Sequence, residues 1–193
     1  MGVLANGLTE ANHDEDALNV EEAELAMLRR LGADEDDLLA VQTNLAVTYR
    51  RLERYEEALS MRQEVYSGRL RLNGEEHQST LIAANNYAHS LAGLQRFEEA
   101  KGLLLKLMPV ARRVFGESND LTLRIRTIYA ALLFMAPAAT LDDHREAVTT
   151  LEEIERIARR VFGGAHPSTT GIEASLRMAR EKLRARDTPS TRA

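Results

Sequence analysis

Residues 111–116 read Ala-Arg-Arg-Val-Phe-Gly, and residues 158–163 read the same six letters again. The match extends in both directions. A shift of 42 residues lays Arg54-Tyr55-Glu56-Glu57-Ala58 on Arg96-Phe97-Glu98-Glu99-Ala100, and Asn44-Leu45-Ala46 on Asn86-Tyr87-Ala88. It also lays Gly74-Glu75 on Gly116-Glu117 and Thr80 on Thr122. The last copy is displaced by 47 residues, and its five extra residues lie around Pro137 to Leu141. Upstream, Glu15-Asp16-Ala17-Leu18 aligns with Glu56-Glu57-Ala58-Leu59 at 41 residues, and Gly32 with Gly74 at 42. Four repeats follow, at approximately 3–35, 36–77, 78–119 and 120–166, the first opening near Val3.

Each repeat reads as two helices. In the second, Leu38, Val41, Leu45, Ala46, Tyr49 and Leu52 keep a helical period, and Glu53-Arg54 interrupts it. Tyr55 opens a second helix with Ala58, Leu59, Val65 and Leu72, and Gly74 ends it, as Gly32, Gly116 and Gly163 end theirs in a left-handed cap. Asp34, Ser79, Asp120 and Ser168 are the expected N-caps, and Thr170 with Glu173 has the spacing of a capping box. Ala46, Ala88 and Ala130 recur on the first helices, and Ala17, Ala58, Ala100 and Ala147 on the second. Small residues at repeating positions let helices approach closely. Pro137 is expected to end the first helix of the fourth repeat, because the helix loses a hydrogen bond there. A charged helix at 170–186 closes the array, and 188–193 reads as a disordered tail.

Composition agrees with an all-α chain. The 193 residues are 44% hydrophobic and 28% charged, with only 5% aromatic, no Trp and no Cys. Leu and Ala carry the apolar content, which favours helices over strands. The absence of Cys removes disulfides, thiol catalysis and Cys-based metal sites, and fits a reducing compartment. Residues 1–40 hold eleven acids and two bases, and 41–193 hold nineteen acids and twenty-three bases. Nucleic acid needs a denser basic patch than this. No apolar run reaches the ~20 residues of a membrane span, and Met1 to Glu10 lacks the pattern of a signal peptide. A soluble, cytoplasmic chain is expected, with neither nucleic acid nor membrane as partner.

The repeat resembles the tetratricopeptide family, in which an aromatic such as Tyr55 or Phe97 is followed three residues later by Ala. The 42-residue period, with Asn-Leu-Ala, Phe-Glu-Glu-Ala and a closing Gly-x-x-His-x-x-Thr, is similar to the kinesin light chain branch. The closing motif stands at Gly74 to Thr80 and at Gly163 to Thr169. No coiled-coil heptads of the kind that join a light chain to a motor occur here. The resemblance implies one right-handed α-solenoid over 1–187, capped by the C-terminal helix. It also implies a concave face lined by the first helix of each repeat. By that pattern the inward positions are Thr43, Asn44, Val47, Arg50 and Arg51, then Asn85, Asn86, His89 and Ala92, then Arg124, Thr127, Ile128 and Ala131.

Asn both donates to and accepts from a peptide backbone, and Arg grips a carboxylate with two parallel bonds. The resemblance implies that Asn44 and Asn86 hold the backbone of a cargo peptide, while Ile128 ends the asparagine ladder. The two-carboxylate clamp of chaperone-tail receptors is not met, since Thr43, Val47 and Ile128 occupy its polar and basic positions. No catalytic motif is present, and none of the five histidines has metal-ligand spacing. His77 and His166 read as turn histidines bonded to backbone. No enzyme, cofactor or metal is expected. The function expected is a non-catalytic scaffold or adaptor holding an extended peptide or a partner helix, with an acidic segment or a C-terminal carboxylate favoured. The other reading is a structural subunit docking through its ends or convex face. The sequence leaves the oligomeric state open.

Overall fold

The computed structural model describes residues 14–187, and the expected start near Val3 and the 188–193 tail lie outside them. The described residues form eight helices and no strand. They are α1 (Asp14–Leu31), α2 (Glu35–Arg51), α3 (Tyr55–Asn73), α4 (Gln78–Gly93), α5 (Phe97–Phe115), α6 (Asp120–Met135), α7 (Leu141–Phe162) and α8 (Pro167–Asp187). The all-α expectation holds. The chain divides into two compact units, Met1–Leu94 and Gln95–Ala193, parted between the two helices of the third repeat.

In the first unit α1 packs on α2, α2 on α3 and α3 on α4. Leu18, Leu25, Val41 and Leu45 form one buried cluster, and Leu39, Val65 and Ala83 another. Ala17, Ala46, Ala58 and Ala88 are all at most 1% exposed, so the repeating alanines do stand at the close approaches. Gly68 marks a still closer one. A Cβ there would lie 2.6 Å from Leu39 Cδ2, so only a glycine lets α3 come this near to α2 without a shift.

In the second unit α5 packs on α6, α6 on α7 and α7 on α8, and α8 also reaches α6. Its core joins Leu123, Ala130, Leu133 and Phe134 of α6 to Ala147, Leu151, Ile154 and Ala158 of α7 and Ile172, Leu176 and Ala179 of α8. Helix α6 stops at Met135, two residues before Pro137, and Ala136 turns to an extended ψ of 135°, as the residue before a proline must. Two cations of α8 then hold this corner. Lys182 Nζ donates to Phe134 O at 3.1 Å, and Arg186 donates to Ala139 O.

The corners between repeats correct several expected caps. Asp34 is an N-cap, its carboxylate accepting from Asp37 N at 3.0 Å. The others sit earlier than expected, because the acceptor reaches forward two residues. His77, not Ser79, caps α4, with Nδ1 accepting from Ser79 N. Asn119, not Asp120, caps α6, and His166 Nδ1 accepts from Ser168 N. Helix α8 begins at Pro167 rather than at 170, since proline's fixed φ and missing N–H suit a first helical turn. Thr170 and Glu173 form no capping box. Thr170 donates to Pro167 O, and Glu173 pairs with Arg159 at 2.6 Å. The capping box lies instead at Thr140 and Asp143. Gly74, Gly116 and Gly163 have φ of 81°, 85° and 86°, with ψ of 171°, 168° and 162°. That is positive φ with an extended ψ, a region open essentially to glycine alone, rather than the compact left-handed cap expected.

Candidate protein-binding face

The closing motif does structural work at each corner. Its glycine ends one helix, its His or Asn starts the next, and its threonine ties the two together. Thr80 donates to Arg69 O at 3.0 Å, Thr122 to Ala111 O at 3.3 Å and Thr169 to Gly163 O at 2.8 Å. All three threonines are at most 1% exposed. His77 and His166 are therefore turn residues, as their bonds to backbone N–H show.

One open feature of the first unit is a pocket of about 170 Å³. Its walls are Thr43, Ala46 and Val47 of α2, Arg62, Val65 and Arg69 of α3, and Ser79, Ile82, Ala83 and Asn86 of α4. Val47 and Ile82 are 38% and 41% exposed, too much for core residues, and both edge this opening. A space of this size accepts one aliphatic or small aromatic side chain.

On α3 the register that lines the pocket differs from that of α5 and α7. At the register of Leu104 and Leu151, both fully buried, α3 carries Arg62. At the register of Ala111 and Ala158, also fully buried, it carries Arg69. Arg69 is neutralised by the Asp36 carboxylate. Among the described residues Arg62 is not paired with any acid. It donates to Asn86 O at 3.1 Å and to Ser90 Oγ at 2.5 Å. Burial holds its pKa below the ordinary arginine value, and the positive charge of Arg50 adds to this. In the second unit the buried Arg126 is treated differently, lying between Glu117 at 3.2 Å and Glu153 at 2.7 Å.

The residues singled out from sequence are placed differently. Thr43 and Asn86 line the pocket, and Arg50 is exposed beside Arg62. Asn44 is half-buried on α2 outside the pocket wall, and Arg51 is exposed and pairs with Asp14 at 3.3 Å. His89 is exposed, one turn beyond Asn85 and Asn86 on α4. Asn85 is only 2% exposed, and its Nδ2 reaches Asn86 Oδ1 at 3.5 Å, so it faces the interior rather than a ligand. Thr43 and Thr127 spend their hydroxyls on their own helices, on Leu39 O at 2.7 Å and Leu123 O at 2.8 Å. Arg124 is exposed on α6 of the second unit. Sequence reasoning missed Arg62, Arg69 and Ile82. The signal for the first two was present: arginine where the third and fourth repeats place leucine and alanine.

Among the described residues no group of three or more His, Asp or Glu side chains is arranged to hold a metal ion. No described helix is long and apolar enough to cross a membrane.

Comparison with known proteins agrees with this architecture. Residues 37–101 match the family model described as tetratricopeptide repeat. No curated protein matches the chain. Among solved structures, a variant of a Podosopora anserina protein described as a kinesin light chain of nearly identical TPR-like repeats superposes with a TM-score of 0.79 at 20% identity. The match covers 96% of this chain and 85% of that one. A second structure under that description has a TM-score of 0.72 at 19% identity, over 100% and 95% of the two chains. BtubC (BKLC) from P. vanneervenii has a TM-score of 0.63 at 18% identity, over 99% and 82%. At these identities the likeness is one of fold: the helical repeats of kinesin-light-chain-like tetratricopeptide proteins.

Proposed function

We propose that this chain, which carries tetratricopeptide repeats over residues 37–101, is a non-catalytic scaffold or adaptor holding an extended peptide or partner helix. Repeats of this family generally mediate protein–protein contacts. The observation that supports a specific face is the pocket between α2, α3 and α4, rimmed by the exposed Val47 and Ile82. Burying one ligand Leu or Phe side chain there contributes about 1.5–3 kcal/mol, a sensible anchor for a peptide. Asn86 on the pocket wall and Asn44 on the same helix face as Val47 are the residues for backbone contacts. Arg50 and Arg62 favour an acidic segment or a C-terminal carboxylate over a basic ligand, so affinity falls as salt rises. A reducing setting such as the cytoplasm suits a chain without cysteine.

Peptides selected from a random display library against the protein test the reading, with Val47→Glu/Ile82→Glu as the counter-target. Selected peptides bind the wild type and weaken at least about tenfold with the variant, equal helicity being checked by circular dichroism. Peptides that bind both alike remove the ligand from this face. The second reading, a subunit docking through its end, then gains. It is supported by the broad cleft between α7 and α8, lined by Arg156, Arg159, Arg177, Arg180 and Arg184 among four glutamates.

A further inference from the structure

We propose that Glu21 is a proton-dependent latch for α1: the helix docks on α2 with this carboxyl neutral and releases more readily as pH rises. The proposal concerns the hold of α1 on α2 and is independent of the binding face described above.

The register sets the problem. Glu21 stands where α3 carries Arg62, α5 Leu104 and α7 Leu151, each one turn after the repeating alanine at 17, 58, 100 and 147. The two leucines are fully buried, and Glu21 is only 2% exposed. An acid therefore occupies a core position. Its Oε2 is buried with no hydrogen-bond partner. The carboxyl bonds to Thr48 of α2, itself 1% exposed. A hydroxyl both donates and accepts, so it can bond either form of the acid but cancels no charge. A carboxylate taken out of water needs a cation or several donors to remain ionised. Among the described residues no lysine, arginine or histidine pairs with Glu21.

The groups around it do not make up the deficit. On α1 the charge that bears on Glu21 is that of Glu24, of the same sign. On α2, Arg51 is engaged with Asp14 at 3.3 Å, and Tyr49 donates to Glu22 at 2.8 Å. Arg54 lies over the Tyr49 ring, 4.6 Å from its centre. Burial and the bond to Glu22 push the Tyr49 phenol up to about 12, so it keeps its proton at neutral pH. Burial also lifts the Glu21 carboxyl above its ordinary range, with the Thr48 bond opposing and the Glu24 charge adding.

The direction of the effect follows. At low pH Glu21 is neutral whether α1 is docked or released, and docking is unaffected. As pH rises the released helix ionises its carboxyl in water while the docked one resists, so docking weakens. The contact at stake is that of Leu18 and Leu25 with Val41 and Leu45. Release of α1 uncovers the last two, an apolar face of α2.

Hydrogen exchange of the full chain, read by mass spectrometry and corrected for the intrinsic effect of pH, is the test. In the wild type the opening of α1 rises at least about threefold from about pH 5.5 to about pH 8. The amides of α7, where Leu151 holds the register, show no such rise. Glu21→Gln has the same shape and no charge, and it flattens the response of α1. Glu21→Leu does the same with the residue that this register carries on α5 and α7, so the test does not depend on glutamine being accommodated. Opening of α1 that is indifferent to pH in the wild type overturns the proposal. So does a rise that persists in both variants, or one shared equally by α7, because the titrating group then lies elsewhere.

Discussion

The junction of α2, α3 and α4 and the junction of α6, α7 and α8 are built on one repeat, yet at one register the first leaves an open pocket and the second closes an apolar core. At matching positions the second holds Leu151 and Ala158, both fully buried, and the first holds Arg62 and Arg69. The leucine and alanine draw neighbouring helices into one apolar cluster with Ile172, Leu176 and Ala179. The arginines take polar partners, Arg62 on Asn86 and Ser90 and Arg69 on Asp36, and line a space open to solvent. The same register thus closes an apolar core in one copy and lines an open pocket in another.

The comparison is broken most forcefully by transplanting the difference. Leu151→Arg places a charge in a dry core with no acceptor prepared for it and costs on the order of 3–5 kcal/mol in urea unfolding. A loss below about 1 kcal/mol would mean that α7 tolerates arginine as α3 does, and the contrast would fail. Next come the close approaches that both regions share. Ala58→Leu in the first unit and Ala147→Leu in the second each overpack a site at most 1% exposed, costing about 1–3 kcal/mol. Similar costs in the two show that the close approaches are shared, leaving the arginine positions as the difference under test.

A smaller effect separates the helix starts. Thr140→Ala removes both halves of the capping box of α7 and costs about 1 kcal/mol. Helix α3 begins at Arg54 with no side-chain cap bond, so Arg54→Ala costs less than Thr140→Ala in the same assay. Smaller again, Glu53→Gly and Gln95→Gly each raise stability by about 0.5 kcal/mol, since both residues hold φ of 60° in the turn after a first helix. Last, Arg62→Leu leaves the thermal midpoint unchanged or higher, because replacing a half-buried charge by leucine is often neutral or stabilising. A drop of several degrees would make Arg62 a structural residue.

Much of this was legible in the letters. The exact recurrence at 111–116 and 158–163, the alanines and the corner glycines determine helix number and pairing, because periodicity and breakers are local signals. The caps were displaced by one or two residues because the acceptor precedes the helix, and a serine or aspartate just inside it looks equally suitable. Asn85 was placed on the binding face beside Asn86, although adjacent helical residues differ by about 100° around the axis. That turn separates a pocket wall from the interior. The pocket itself was not legible from the first helices alone. It depends on what α3 fails to bury, and only a comparison of the second helices across repeats exposes Arg62 and Arg69.

The corner at 136–140 carries a consequence for the order of events during synthesis. Its two carbonyl acceptors, on Phe134 and Ala139, are held by Lys182 and Arg186, more than forty residues further along the chain. A ribosome makes the break at Pro137 well before it makes the side chains that fasten it. Until then the carbonyls of Phe134 and Ala139 lack these two partners. The corner therefore gains its two side-chain fastenings only once α8 has been made and has docked.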